Sequence, residues 1–200
     1  MTYAIIGFGS IGQALARHFS RENIDVTVAS RKPHEALQAQ AEPIGPKVHA
    51  KSMAEALEAD MIFLAVPFGE AREVAKARSD WRGKTIIDVT NSYGTPPEDL
   101  GGLLSSAFNA TAFNGASFVK GFNHLAAAKL GSDPQVGASR RVVFLASDDA
   151  DAIPPVAALA RQLGFAPVVL GKLDEGGALV HAKGSIWGPL IFQDLFKAEQ

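Results

Sequence analysis

Cysteine is absent from the 200 residues. Its absence excludes disulfides, thiolate metal sites and cysteine nucleophiles together, and it fits a reducing compartment. Long hydrophobic runs are also missing. The longest, MIFLAVPF over 61–68, falls far short of the ~20 apolar residues that a membrane helix needs. The opening MTYAIIGFG has no basic region and no extended apolar core, so no signal peptide is read. Neither sign of charge dominates. A net charge of −2 gives no electrostatic case for nucleic acid or anionic lipid. The adjacent Arg140 and Arg141 read as solvated charge where a loop meets a strand. Five histidines (His18, His34, His49, His124 and His181) are scattered without H-E-x-x-H spacing, so no metal site is read. Internal repeats, linkers and low-complexity tracts are lacking as well. The expectation is a cytoplasmic protein acting on a small molecule, with no nucleic-acid or membrane partner.

What the chain does have is length and apolar content: 47% of it is hydrophobic, enough for one well-buried core. Short aliphatic runs alternate with amphipathic stretches. Strands are expected at 3–7, 25–30, 47–50, 61–67 and 85–91, with helices at 11–20, 52–60 and 70–79. Ser52 and Glu55 stand at capping-box spacing. MIFLAVP and TIIDVTN are continuous apolar runs, as suits central parallel strands covered on both faces. Asp88 lies inside the second of these and is expected to be buried and structurally paired. Further strands are expected at 117–123, 140–147 and 166–171, and helices at 103–113 and 151–164. The fold class is therefore α/β, a Rossmann-type doubly wound, mainly parallel sheet. A single domain spans 1–200: sheet and helices over 1–171, then a helical extension over 172–200. In the extension Ile186, Trp187, Leu190, Ile191, Leu195 and Phe196 recur roughly at helical spacing, which suggests a face covered by a second copy in a homodimer.

The strongest motif is GFGSIG, with strand before it, helix after it and a second strand on schedule. Gly7 permits a tight turn, Gly9 lets a pyrophosphate approach the backbone, and Gly12 lets helix and strand pack closely. The helix start at Ser10 and Ile11 offers free N–H groups and a favourable dipole. Enzymes that bind NAD place a carboxylate at the end of the second strand to hold the ribose 2′-hydroxyl. Here the residues are Ser30, Arg31 and Lys32, a hydroxyl and two cations that suit a 2′-phosphate. NADP(H) is therefore favoured over NAD(H).

GFGSIG, SRK, DVTNSYG (88–94), SFVKGFN followed by HLAAAKL (117–130) and RQLGFAPVVLG (161–171) carry a resemblance. The chain resembles the F420-dependent NADP oxidoreductases and is similar to the cytosolic oxidoreductase domain of the STEAP metalloreductases. The resemblance implies NADP(H) bound along the C-terminal strand edge. It also implies a second aromatic cofactor near the nicotinamide, the deazaflavin F420 or a flavin (FMN or FAD). Val66 and Pro67 are implied to line the cofactor's underside.

Asn91 ends a strand where ligands bind in open α/β sheets, and is a candidate for the nicotinamide ribose or carboxamide. Asn123 and His124 follow the sixth strand and are substrate-side candidates. No catalytic residue is certain. Three readings stay open: hydride transfer between NADPH and a flavin-like acceptor, a non-catalytic NADPH sensor, and reduction of a small carbonyl or imine with His124 or Lys183 as proton donor.

Overall fold

The computed structural model describes residues 1–198. Its first half alternates strand and helix: β1 (Tyr3–Ile6), α1 (Ser10–Arg21), β2 (Val26–Ala29), α2 (His34–Ala41), β3 (Val48–Ala50), α3 (Met53–Ala56), β4 (Met61–Leu64), α4 (Phe68–Ala75) and β5 (Thr85–Asp88). The second half adds α5 (Ser105–Ala110), β6 (Ser117–Gly121), α6 (Ala127–Leu130), β7 (Gln135–Val136), β8 (Ser139–Ala146), α7 (Ile153–Gln162) and β9 (Ala166–Val169). A small hairpin follows, β10 (Ala182–Lys183) with β11 (Ile186–Trp187), and then an edge strand, β12 (Phe196–Ala198).

The strand order β3-β2-β1-β4-β5-β6 is parallel throughout. β8 then runs antiparallel to β6, with β9 parallel and β12 antiparallel to β8. The order reverses at β1, whose neighbours are β2 and β4. Ligands bind outside the carboxyl ends of the strands at such a point.

The sheet sits between two apolar layers, and strand period decides which side chain enters which. Ile5 and Phe63 join the layer of α1 and α7, where Leu15, Phe19, Val156 and Leu159 pack. Their neighbours Ile6, Ile62 and Leu64 join the layer of α3 and α4, with Trp81 and Phe113. All four residues of β4 are therefore buried, as the continuous apolar run predicts. Each such side chain contributes about 1.5–3 kcal/mol over leaving it exposed. The capping box forms at α3: Ser52 Oγ accepts from Glu55 N, and Glu55 Oε2 accepts from Ser52 N.

Two expectations are corrected. The segment over 172–200 is not helical among the described residues: a short 3₁₀ turn at Gly176–Val180 leads to the hairpin and to β12. Local chemistry explains this. Gly184 adopts φ +54°, a Cβ on Gly188 would press against the Leu179 carbonyl, and Pro189 lacks the N–H a helix needs. The helical spacing of the apolar residues is coincidental: Ile191 is buried, whereas Ile186 is 73% exposed. Arg141, expected to be solvated, is buried. Its Nε donates to Asp194 Oδ1 at 2.6 Å and its Nη1 donates to the carbonyls of Lys129 and Asp133, which ties the last segment to β8.

Candidate functional site

At the reversal of strand order lies a cavity of about 540 Å³. The turn from β1 forms its floor. Gly7 holds φ +95°, and a Cβ there would collide with the Ala65 carbonyl. A Cβ on Gly12 would collide with the Gly7 carbonyl. Both glycines are thus required by the protein's own packing. Gly9 differs: a Cβ there would meet nothing within 4 Å. No packing demand removes its side chain, and the open space above it fits a pyrophosphate. Gly9 is also the N-cap of α1, which no side chain caps and whose first turn has no acidic residue. The first amides, at Ser10, Ile11 and Gly12, are therefore aligned to receive an anion.

Of the expected cofactor residues, Gly7, Gly9, Ser30, Arg31, Lys32, Val66 and Pro67 line this cavity from three strand ends, whereas Ser10, Ile11, Gly12 and Asn91 are not part of its lining. Ser30 Oγ accepts from Lys32 N at 3.2 Å, which shapes the turn after β2. Lys32 Nζ donates to Gln40 on α2. A second cavity, about 470 Å³, adjoins through Ser30, Lys32 and Met53 and adds His34, Lys51 and Ser52. The sequence reading missed the far wall, Glu70, Glu73, Val74 and Ala77 on and after α4. Its signal was present: Pro67 is the N-cap of α4, so the helix begins at Phe68, before the expected start at 70.

The nicotinamide-side candidates lie outside both cavities. Asn91 Nδ2 donates to the Asn123 carbonyl at 2.8 Å, and Asn123 Nδ2 donates to Asn91 Oδ1 at 2.9 Å and to the Val180 carbonyl at 2.7 Å. The two amides thus join the ends of β5 and β6 to the last segment. Asn123 Oδ1 is buried without a partner. Two residues past Asn91, Tyr93 stacks on Trp187 at 4.4 Å with the planes 3° apart, and Gly94 N donates to the Gly184 carbonyl. This aromatic pair, exposed at Tyr93 and partly buried at Trp187, had no signal in local sequence, since 94 residues separate its halves.

His124 is fully buried, and its ring packs on Phe144 at 4.7 Å. Burial pulls its pKa down to about 4, so the ring is neutral. Lys183 sits on the exposed side of the hairpin. Behind the amide pair lies a buried ion pair. Lys120 Nζ is 3.5 Å from Asp88 Oδ2 and donates to the Thr90 carbonyl. Asp88 also accepts from Thr90 N, Thr90 Oγ1 and Ser106 Oγ. Burial lowers the Lys120 pKa, and the Asp88 charge opposes that. The expectation for Asp88 holds. Among the described residues no group of three or more His, Asp or Glu could hold a metal, and no helix is long and apolar enough to cross a membrane.

A Rossmann sheet with a glycine loop at its switch point, and cations where a ribose carboxylate would stand, defines a class: the NADP-dependent oxidoreductases. Residues 2–92, a little under half of the chain, match the family described as NADP oxidoreductase, coenzyme F420-dependent. The chain is similar to a hypothetical protein of Sinorhizobium meliloti of known structure, with 38% identity and a TM-score of 0.90 over 98% of this chain and 96% of that one. An Arthrobacter sp. FB24 structure, proposed as an F420-dependent NADP reductase, shares the fold at 24% identity and a TM-score of 0.70, covering 86% of each chain. The mouse metalloreductase STEAP2 is 30% identical over 88% of this chain. The chain spans about a third of that relative's length, 34%.

Proposed function

We propose that the protein passes hydride between NADP(H) and a flavin-like acceptor, deazaflavin F420 or a flavin such as FMN or FAD. The observation that carries this reading is Gly9, a glycine whose missing side chain serves no packing purpose, set at the mouth of a cavity walled by Ser30, Arg31 and Lys32. NADPH would supply the hydride from C4 of its nicotinamide and leave as NADP⁺, while the acceptor ring gains the hydride and a proton from water.

This chain's residues would bind and orient. The amides of Ser10, Ile11 and Gly12 face the pyrophosphate, Arg31 and Lys32 the 2′-phosphate, and Val66 and Pro67 the apolar underside. Asn91, whose amide is paired with Asn123, would bound the nicotinamide side by fixing the end of β5. Holding reacting atoms near 3–3.5 Å supplies about 7–11 kcal/mol, so no acid–base pair is required. The buried His124 and the exposed Lys183 give a carbonyl or imine reduction no positioned proton donor. The partly exposed Tyr93, stacked on Trp187, adds aromatic surface beyond the end of β5, which supports a planar acceptor.

The test is anaerobic NADPH oxidation against F420, FMN, FAD, riboflavin and small carbonyls. Turnover with a tricyclic acceptor is expected. Turnover with carbonyls alone would overturn the acceptor class, and binding without any turnover would favour an NADPH sensor. A cytoplasmic location belongs to the same reading, supported by the absence of cysteine. So does a homodimer through the last segment, supported by the exposure of Ile186, Phe192, Leu195 and Phe196 there. Sedimentation as a dimer at micromolar concentration is expected, and a monomer would refute it.

A further inference from the structure

Arg31 stands just past β2, with its side chain 77% exposed, and Nη1 donates to Glu70 Oε2 at 2.9 Å. Glu70 comes from the opposite wall, in the first turn of α4. The pair therefore spans the cavity that both residues line. Resting on the NADP(H) reading above, we propose that Glu70 is a specificity-determining residue. Its carboxylate competes with the cofactor's 2′-phosphate for Arg31 and limits how far NADP(H) is preferred over NAD(H).

Charge arithmetic sets the direction. The 2′-phosphate carries nearly two negative charges, and a guanidinium shared with it would place the Glu70 carboxylate within one Debye length of them. Two like charges at that distance repel even in partly aqueous surroundings. The existing pair does little to offset this, because an exposed ion pair between flexible side chains is weak. A ribose 2′-hydroxyl carries no charge and would not feel the carboxylate in this way. Glu70 should thus weaken NADPH and leave NADH nearly unchanged. Lys32, whose ammonium also donates to Gln40 on α2, attracts the phosphate in the wild type and in every variant alike, so it does not alter the comparison.

Calorimetric titration of NADPH and NADH into the wild type, Glu70→Gln, Arg31→Ala and the double variant tests this without any turnover. Glu70→Gln is expected to tighten NADPH about tenfold and to change NADH by less than about twofold. Arg31→Ala alone is expected to weaken NADPH by roughly 10- to 100-fold. In the Arg31→Ala background the gain from Glu70→Gln should shrink to about threefold or less, because only through-space repulsion remains. Weaker NADPH binding by Glu70→Gln would show that Glu70 orients Arg31, and would overturn the inference. So would an equal change for both cofactors, or no change while Arg31→Ala still weakens NADPH. If Arg31→Ala leaves NADPH affinity intact, the assignment of Arg31 falls, and the competition with it.

Discussion

Lys120 and Asp88 show how one pair of residues secures a strand end. Both are 0% exposed, so their charges have left water entirely. Such a pair adds little stability compared with an apolar replacement, but breaking it leaves one charge buried alone. Lys120 also donates to the Thr90 carbonyl, one residue before Asn91. The consequence is a fold-level and a site-level effect from one substitution. Lys120→Met should lower unfolding free energy by about 3–5 kcal/mol in urea titrations. Adding Asp88→Asn should recover part of that loss, because the unpaired charge is gone. Equal losses in the single and double variants would mean that packing, not charge, decides the site.

At the scale of elements, β1, α1 and β2 act as one unit, and their glycines separate packing from binding. Gly9 has φ −81° and open space, so Gly9→Val should fold with an unchanged melting temperature yet lose NADPH affinity by calorimetry. Gly12→Val should instead destabilise, since its side chain would meet the Gly7 carbonyl. A folded Gly9→Val that binds NADPH normally would remove the pyrophosphate from this loop. These elements were legible in sequence because their signals are local: an apolar run, a glycine spacing, three residues at a strand end. α2 was not read, for it buries only Leu37 and Ala41, too thin a stripe to register as a period. The last segment was misread because Gly184, Gly188 and Pro189 outweigh an apolar spacing that looked helical. The Asn91–Asn123 pairing spans 32 residues and its tie to Val180 another 57, distances over which spacing carries no signal.

The whole molecule carries three buried histidines on separate elements, and together they set its response to acid. His18 lies on α1, with Nε2 at 2.5 Å from the Leu130 carbonyl; His124 follows β6; His181 precedes β10. Burial lowers the pKa of His18 and of His124 to about 4 and that of His181 to about 3, from the ordinary 6.5. Between pH 6.5 and about 4 the unfolded chain therefore holds protons that the folded chain refuses. Stability rises with pH wherever the unfolded state binds more protons, so it must fall as pH drops through this window. Near pH 5 each histidine contributes a slope of about 1.4 kcal/mol per pH unit. Carboxylates such as Asp60, held low by hydrogen bonds from Thr2, lose their contribution only at lower pH, as they become protonated. The two effects thus occupy different windows. Unfolding free energy from urea titrations should be flat above pH 7.5 and decline steeply below 6.5. His18→Asn should flatten that decline by about a third. A profile level down to pH 4.5 would mean that all three rings take up protons without unfolding the chain, and the burial that the fold assigns them would be wrong.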